Sequence, residues 1–220
     1  MQRHIDVELA AVKDALIRMA SLAEEAIGRS VKALVSRDAA MARHVVESDD
    51  TINALEIKID DLCLRTMARY QPEATDLRFL AMTLKINNDL ERMGDQAVNI
   101  AERTLELLKE PPLKPLIDIP RMAEIAQRMV KESLDAFVRQ DAEQARNVCR
   151  QDDQVDQLDD QIFRELLTYM MEDPKAITRS VNLILVSRHL ERIADHATNI
   201  AEDVVYLIQG KTIKHHIAGE

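Results

Sequence analysis

Tryptophan is absent from this 220-residue chain, and phenylalanine and tyrosine together are three each, 3% aromatic in all. A core must therefore come from Leu, Ile, Val, Met and Ala, which supply most of the 46% hydrophobic content. Four glycines and six prolines are too few for the many tight turns of a sandwich or barrel. The two cysteines, Cys63 and Cys149, lie far apart with no CxxC, so they read as packing residues in a reducing compartment and not as a disulfide or zinc site. The opening "MQRHIDVELA" has no apolar core or cleavage pattern, so it does not read as a signal peptide. No apolar run approaches the ~20 residues that span a bilayer. The net charge of −10 argues against nucleic-acid binding through a basic face and favours cations or basic partner surfaces. Gly-rich phosphate loops, nucleophile elbows and Glu-x-x-His pairs are missing as well, so nothing marks an enzyme or a ferritin-like di-iron centre.

What is present is helical periodicity between prolines. Positions 72, 111, 112, 115, 120 and 174 hold all six, and none interrupts a long periodic segment. Six helices are expected: about 6–36, 39–70, 76–109, 121–139, 142–171 and 174–209. Asp38, Asp141 and Asp173 are the candidate N-caps, and Gly210 is the left-handed terminator. Helices of ~30 residues are ~45 Å long and hold only by burying a stripe against neighbours. Three in succession with short loops make an up-down-up bundle.

The chain says the same thing twice. "LVSRDAAMARHVVESDD" (34–50) aligns with "FVRQDAEQARNVCRQDD" (137–153) at an offset of 103, and "LERMGDQAVNIAE" (90–102) with "LERIADHATNIAE" (190–202) at an offset of 100. The expected architecture is all-α, two tandem, internally duplicated three-helix bundles made of six long helices. The halves are 1–110 and 120–210, with a Pro-rich linker at 111–119 and a loose tail at 211–220.

The repeated phrase carries two patterns. Leu90, Met93, Ala97 and Ile100 share one face, while Glu91, Asp95, Asn99 and Glu102 fall within about 80° of each other on the opposite one. Glu191, Asp195, Asn199 and Glu202 repeat the stripe. On the preceding helices Asp49, Asn53, Glu56 and Asp60 form a similar row, matched by Asp152, Asp156 and Asp159, with Phe163 replacing the last acid. Repelling acids at i, i+4 need compensation. One reading is a solvated face relieved by salt, Arg92 and Arg192. The other is a bound hard cation held by oxygen ligands: magnesium, manganese, iron, zinc or calcium. His189 and His196 fall to one side of the stripe and read as surface or edge residues, and His215-His216 lies in the tail. Gly94, mid-helix, suggests close approach of another helix.

The doubled "LERMGDQAVNIAE" and "LERIADHATNIAE", with Asp-Asp elements on the preceding helices, resemble the PhoU family of phosphate-uptake regulators over essentially the whole chain. The resemblance implies a cytoplasmic, non-catalytic regulator, often a homodimer, that lowers phosphate uptake and restrains the phosphate-starvation response. It implies two partners: the ATP-binding subunit of the phosphate ABC transporter and a membrane sensor histidine kinase. The membrane is met only through these partners. Some members hold metal clusters on paired acidic motifs. Carried over, these are Glu91/Asp95 with Asp49/Asn53, and Glu191/Asp195 with Asp152/Asp156; Asn53 departs from the acidic pattern and weakens the first set. The alternative function is a helical protein that binds or buffers metal ions without any role in phosphate signalling; a purely structural scaffold is a third.

Overall fold

The computed structural model describes residues 4–213, and all regular structure among them is helical. The elements are α1 (His4–Ser36), α2 (Ala39–Ser48), α3 (Asp50–Tyr70), α4 (Ala74–Leu107), α5 (Asp118–Arg139), α6 (Ala142–Cys149), α7 (Asp152–Glu172) and α8 (Ile177–Gln209). A single 3-10 turn, Pro174–Ala176, precedes α8. The pair His215-His216 lies outside the described residues. Among those residues no helix is long and apolar enough to cross a membrane.

Local signals set the helix ends. Asp38 Oδ1 accepts from the amides of Ala40 and Met41 at 2.9 Å each, and Asp141 Oδ1 accepts from Glu143 and Gln144 at 3.0 Å each. The residue before each cap, Arg37 and Gln140, has the same left-handed φ of 55°, so the duplication reaches the backbone conformation of the turn. Asp173 caps the 3-10 turn through the Lys175 amide, and Gly210 closes α8 at φ 67°.

The second helix of each half is interrupted rather than continuous. A single residue, Asp49, joins α2 to α3, while Arg150 and Gln151 join α6 to α7. Each interruption sits where acids cluster. Asp50, Asp152 and Asp153 then occupy the first turn of the longer piece, where the helix dipole favours negative charge.

Packing places α4 and α8 at the centre. α1 and α3 cover α4, α5 and α7 cover α8, and α4 lies antiparallel against α8, so one contiguous core runs through both halves. Leu90, Met93, Ala97 and Ile100 are fully buried, as are Leu190, Ile193, Ala197 and Ile200. Truncating any of the larger ones to Ala costs about 2–5 kcal/mol. The free Cys63 is buried and Cys149 partly so. Burial pushes their thiols up to about 12 and about 11, which keeps both inert at neutral pH. Leu113 and Leu116 pin the proline-rich linker onto the core.

The candidate acidic site

Each half turns a two-helix face outward, α3 beside α4 and α7 beside α8. In the first half the approach is close because residue 94 is glycine: a β-carbon there would meet Ile52 Cδ1 at 3.1 Å and Asp49 Oδ1 at 3.4 Å. The close helix approach expected from Gly94 is thus present, and it brings Asp49 against α4. Asp49, Asn53, Glu56, Glu91, Asp95 and Asn99 are all half-buried, and Glu102 is exposed. Asn53 Nδ2 donates to Asp49 Oδ2 at 3.0 Å. Arg92 lies 3.5 Å from both Glu91 and Asp95. Burial raises the pKa values of Asp49 and Glu91, and Asp95 adds repulsion to both.

The second half is more strongly acidic. Burial lifts Asp152 to about 6, with Asp156, Asp195, Asp153 and Glu191 adding repulsion. Asp156, Glu191 and Asp195 are also raised, each first by partial loss of hydration between the two helices, which residual exposure does not remove, and next by neighbouring carboxylates. Asp152 and Glu191 are half-buried, and Asp156 and Asp195 are exposed. The four pairs carried by the spacing argument, two in each half, are thus brought into mutual electrostatic contact. Among the described residues, no three His, Cys, Asp or Glu side chains close on a point so as to hold an ion as they stand. The donor chemistry nevertheless fits a hard cation: all donors are oxygens, and crowding disfavours their joint ionisation, a cost that a bound cation relieves.

The outer members of the stripes do other things. Asp159 is 2% exposed; Ser187 Oγ donates to its Oδ1 at 2.7 Å, and Arg188 lies 3.0 Å from its Oδ2. Asp60, one turn further along the first half, accepts from Asn87 Nδ2 at 2.9 Å, and the same amide reaches the Glu56 carbonyl at 3.0 Å. Asn199 turns towards the other half, with Nδ2 3.5 Å from Asp89. Glu202 acts on Cys149 of α6, raising its pKa. Arg188, which also lies 4.0 Å from Glu191, escaped the spacing argument because its partner is on another helix.

His189 and His196 are not surface or edge residues. Both are half-buried where α4 meets α8. His196 Nδ1 lies 2.8 Å from Asp89 Oδ1, and His189 Nδ1 lies 2.9 Å from Gln96 Oε1. Burial, then Arg192 and Arg103, lowers His189 to about 4, so it is neutral and donates through Nδ1 to the amide oxygen. The angular position of the two histidines was right, but the neighbour on that side is the other half, not solvent.

Known proteins are similar to this chain in sequence and in fold. The PhoU domain model matches residues 16–104 and 119–204, one match in each half. A phosphate-specific transport system accessory protein PhoU homolog of Aquifex aeolicus is 49% identical over 208 residues, covering 94% of both chains. The homolog from Pseudomonas aeruginosa is 42% identical over 216 residues, covering 98% of this chain and 89% of the relative. The crystal structure of PhoU from Pseudomonas aeruginosa superposes with a TM-score of 0.92 at 43% identity, covering 94% of this chain and 100% of that one. The phosphate transport system regulatory protein PhoU from Streptococcus pneumoniae gives 0.88 at 29% identity, covering 96% of this chain and 100% of that one. With both halves matched and relatives aligned over nearly its full length, the chain belongs to the PhoU family.

Proposed function

We propose that this protein is a non-catalytic, cytoplasmic regulator of phosphate uptake that acts on a phosphate transport system and restrains the phosphate-starvation response. The relatives' names as transport-system accessory and regulatory proteins supply the setting. The observation that carries the mechanism is the crowding of carboxylates on one outward face per half, with Asp152 raised to about 6 by burial and by its acidic neighbours. A surface held in that state gains from any cation brought to it. Asp152, Asp156, Glu191 and Asp195 would hold a hard divalent or iron-type ion in the second half, and Asp49, Asn53, Glu91 and Asp95 in the first. Such an ion would supply positive charge and open coordination positions for phosphate oxygens or a partner's carboxylates. Without it, the same faces are acidic docking surfaces for basic patches on the transporter's ATP-binding subunit or on a sensor histidine kinase, and a homodimer would present four of them.

Deletion of the gene, followed by phosphate-uptake and alkaline phosphatase assays, tests the reading. Constitutive phosphatase activity in phosphate-rich medium is expected, restored to repression by wild type but not by Glu191→Ala/Asp195→Ala. Unchanged uptake and phosphatase in the deletion strain would overturn the function. Full complementation by the double variant would overturn the role of the acidic face alone.

A further inference from the structure

The α4–α8 contact relates the two halves by an approximate twofold exchange, and the exchange fails at the two ends of the seam. Residue 79 of α4 corresponds to residue 179 of α8, and residue 137 at the end of α5 corresponds to residue 34 at the end of α1. At one end of the molecule Phe79 stacks on Phe137, with ring centroids 5.9 Å apart and planes 20° apart. At the other end the corresponding residues are Arg179 and Leu34, and between them is a cavity of about 310 Å³, roofed by residues 111–116 of the linker.

The lining of this cavity is apolar, with three cations and no Asp or Glu: Arg37, Lys114 and Arg179 among leucines and prolines. Arg37 Nη2 donates to the Glu110 carbonyl at 2.6 Å and reaches the Leu107 carbonyl at 3.5 Å, so part of its role is to hold the end of α4 and the start of the linker. Lys114, 8% exposed, pairs with Glu165. Arg179 Nη1 donates to the Pro111 carbonyl at 3.2 Å. Its Nε lies 3.3 Å from Glu110 Oε2, without the geometry of a hydrogen bond, so that buried donor is unsatisfied. Three cations therefore face two carboxylates, both outside the lining. Gln140, the counterpart of Arg37, is neutral. Among the described residues, this end holds the cavity lined by three cations. A volume of this size lies at the lower end of small-molecule sites, which combine apolar walls with a few convergent polar groups.

We propose that this cavity binds a small ligand with a flat apolar body and one anionic group, phosphoryl or carboxylate, the body replacing the missing aromatic pair and the anion meeting Arg179 and Lys114. This site is separate from the acidic faces and does not rest on their role. Isothermal titration of the full-length protein with 1-naphthyl phosphate, 1-naphthoate, inorganic phosphate and benzyl alcohol tests it. Saturable binding of at least one naphthyl anion is expected, at least tenfold tighter than inorganic phosphate or the neutral alcohol; which naphthyl anion binds identifies the head group. Arg179→Phe, which copies the filled end, should weaken that binding at least tenfold while holding or raising the unfolding midpoint. Lys114→Gln should weaken it with the fold intact. Absence of saturable binding by both naphthyl anions would overturn the proposal. So would inorganic phosphate binding as tightly as they do, or affinity unchanged in both variants.

Discussion

Asp89 of α4 accepts a hydrogen bond from His196 of α8 at 2.8 Å, and the residues one hundred positions from each, His189 and Gln96, meet at 2.9 Å. The two contacts are exchange partners across the α4–α8 seam. They show that the duplicated phrase, together with the residue just before each copy, Asp89 and His189, takes part in the joint between the halves as well as in each half's own acidic face. One member of each pair is a histidine, and the acceptors differ: a carboxylate in one, a neutral amide in the other. The seam is therefore symmetric in shape and asymmetric in charge.

His189 has no acidic partner in this contact. Its pKa is lowered to about 4 mainly by burial, with Arg192 and Arg103 adding to it. A histidine whose folded pKa lies below the unfolded 6.5 contributes stability above that value, lost as pH falls through about 6.5 to 4. Gln96→Glu would give His189 the acidic partner that His196 has in Asp89. Its pKa, followed by NMR titration of the imidazole signals, should rise by a unit or more, on the order of an opposite charge's usual effect at contact distance. An unchanged titration would mean that the contact is not made in solution.

Gly94 and Ile52 form a matched pair, and the second half holds Ala194 and Val155 at the equivalent positions. A smaller residue on one helix goes with a larger one on the other. Gly94→Ala should gain about 1 kcal/mol of helix propensity but press its new methyl on Ile52, at 3.1 Å from Cδ1. Ile52→Val alone should cost about 0.5–1.5 kcal/mol. The double variant, which copies the second half, should be at least as stable as wild type, with a favourable coupling of roughly 0.5–1 kcal/mol in a denaturant cycle. Strict additivity of the two changes would sink this account.

For Asp152 the sign of the pH effect is opposite to that of His189. Its pKa rises from 3.8 to about 6, first from burial and then from the surrounding carboxylates. Between those values the folded state holds the proton more firmly than the unfolded chain, so stability falls as pH rises from about 4 to about 6. Asp152→Asn removes the cost. The expected gain at pH 7.5 is on the order of 1 kcal/mol after allowance for solvent screening, a few degrees in midpoint for a chain of this size. No gain is expected at pH 4, where the carboxyl is already protonated in the folded state. Equal gains at both pH values would point to packing, not charge.

Much of this could be read from residue order because its causes are local. Asp38 and Asp141 had to cap, Gly94 had to admit a neighbour, and the 3.6-residue period separated Leu90, Met93 and Ile100 from Glu91 and Asp95. What escaped the sequence was set by meetings between distant segments. His189 and His196 have the spacing of exposed residues, and only the docking of α8 on α4 buries them. Asp159 continues the acidic stripe by count, yet Ser187 and Arg188 on the facing helix draw it inward. The interruption at Asp49 splits a helix whose apolar periodicity runs on unbroken, because Asp49 keeps helical backbone angles and the apolar phase carries through.

The two acidic faces should also differ in their response to cations. Asp156 of the second half stands where the first has Asn53, so the second set has four carboxylates and the first three. Asn53 does more than remove a charge: its amide donates to Asp49 Oδ2 at 3.0 Å and occupies a lone pair that a metal would need. Manganese titrated into the full-length protein should raise the unfolding midpoint, by about 2.7 kcal/mol at a hundred times its dissociation constant. Asp152→Asn/Glu191→Gln should abolish most of that rise, whereas Asp49→Asn/Glu91→Gln should abolish little. Arg188 competes with the ion from 4.0 Å beside Glu191, so Arg188→Gln should shift the manganese response to lower concentration. A rise of the same size in both double variants would mean that manganese acts elsewhere on the chain, and the acidic faces would then remain docking surfaces for basic partners only.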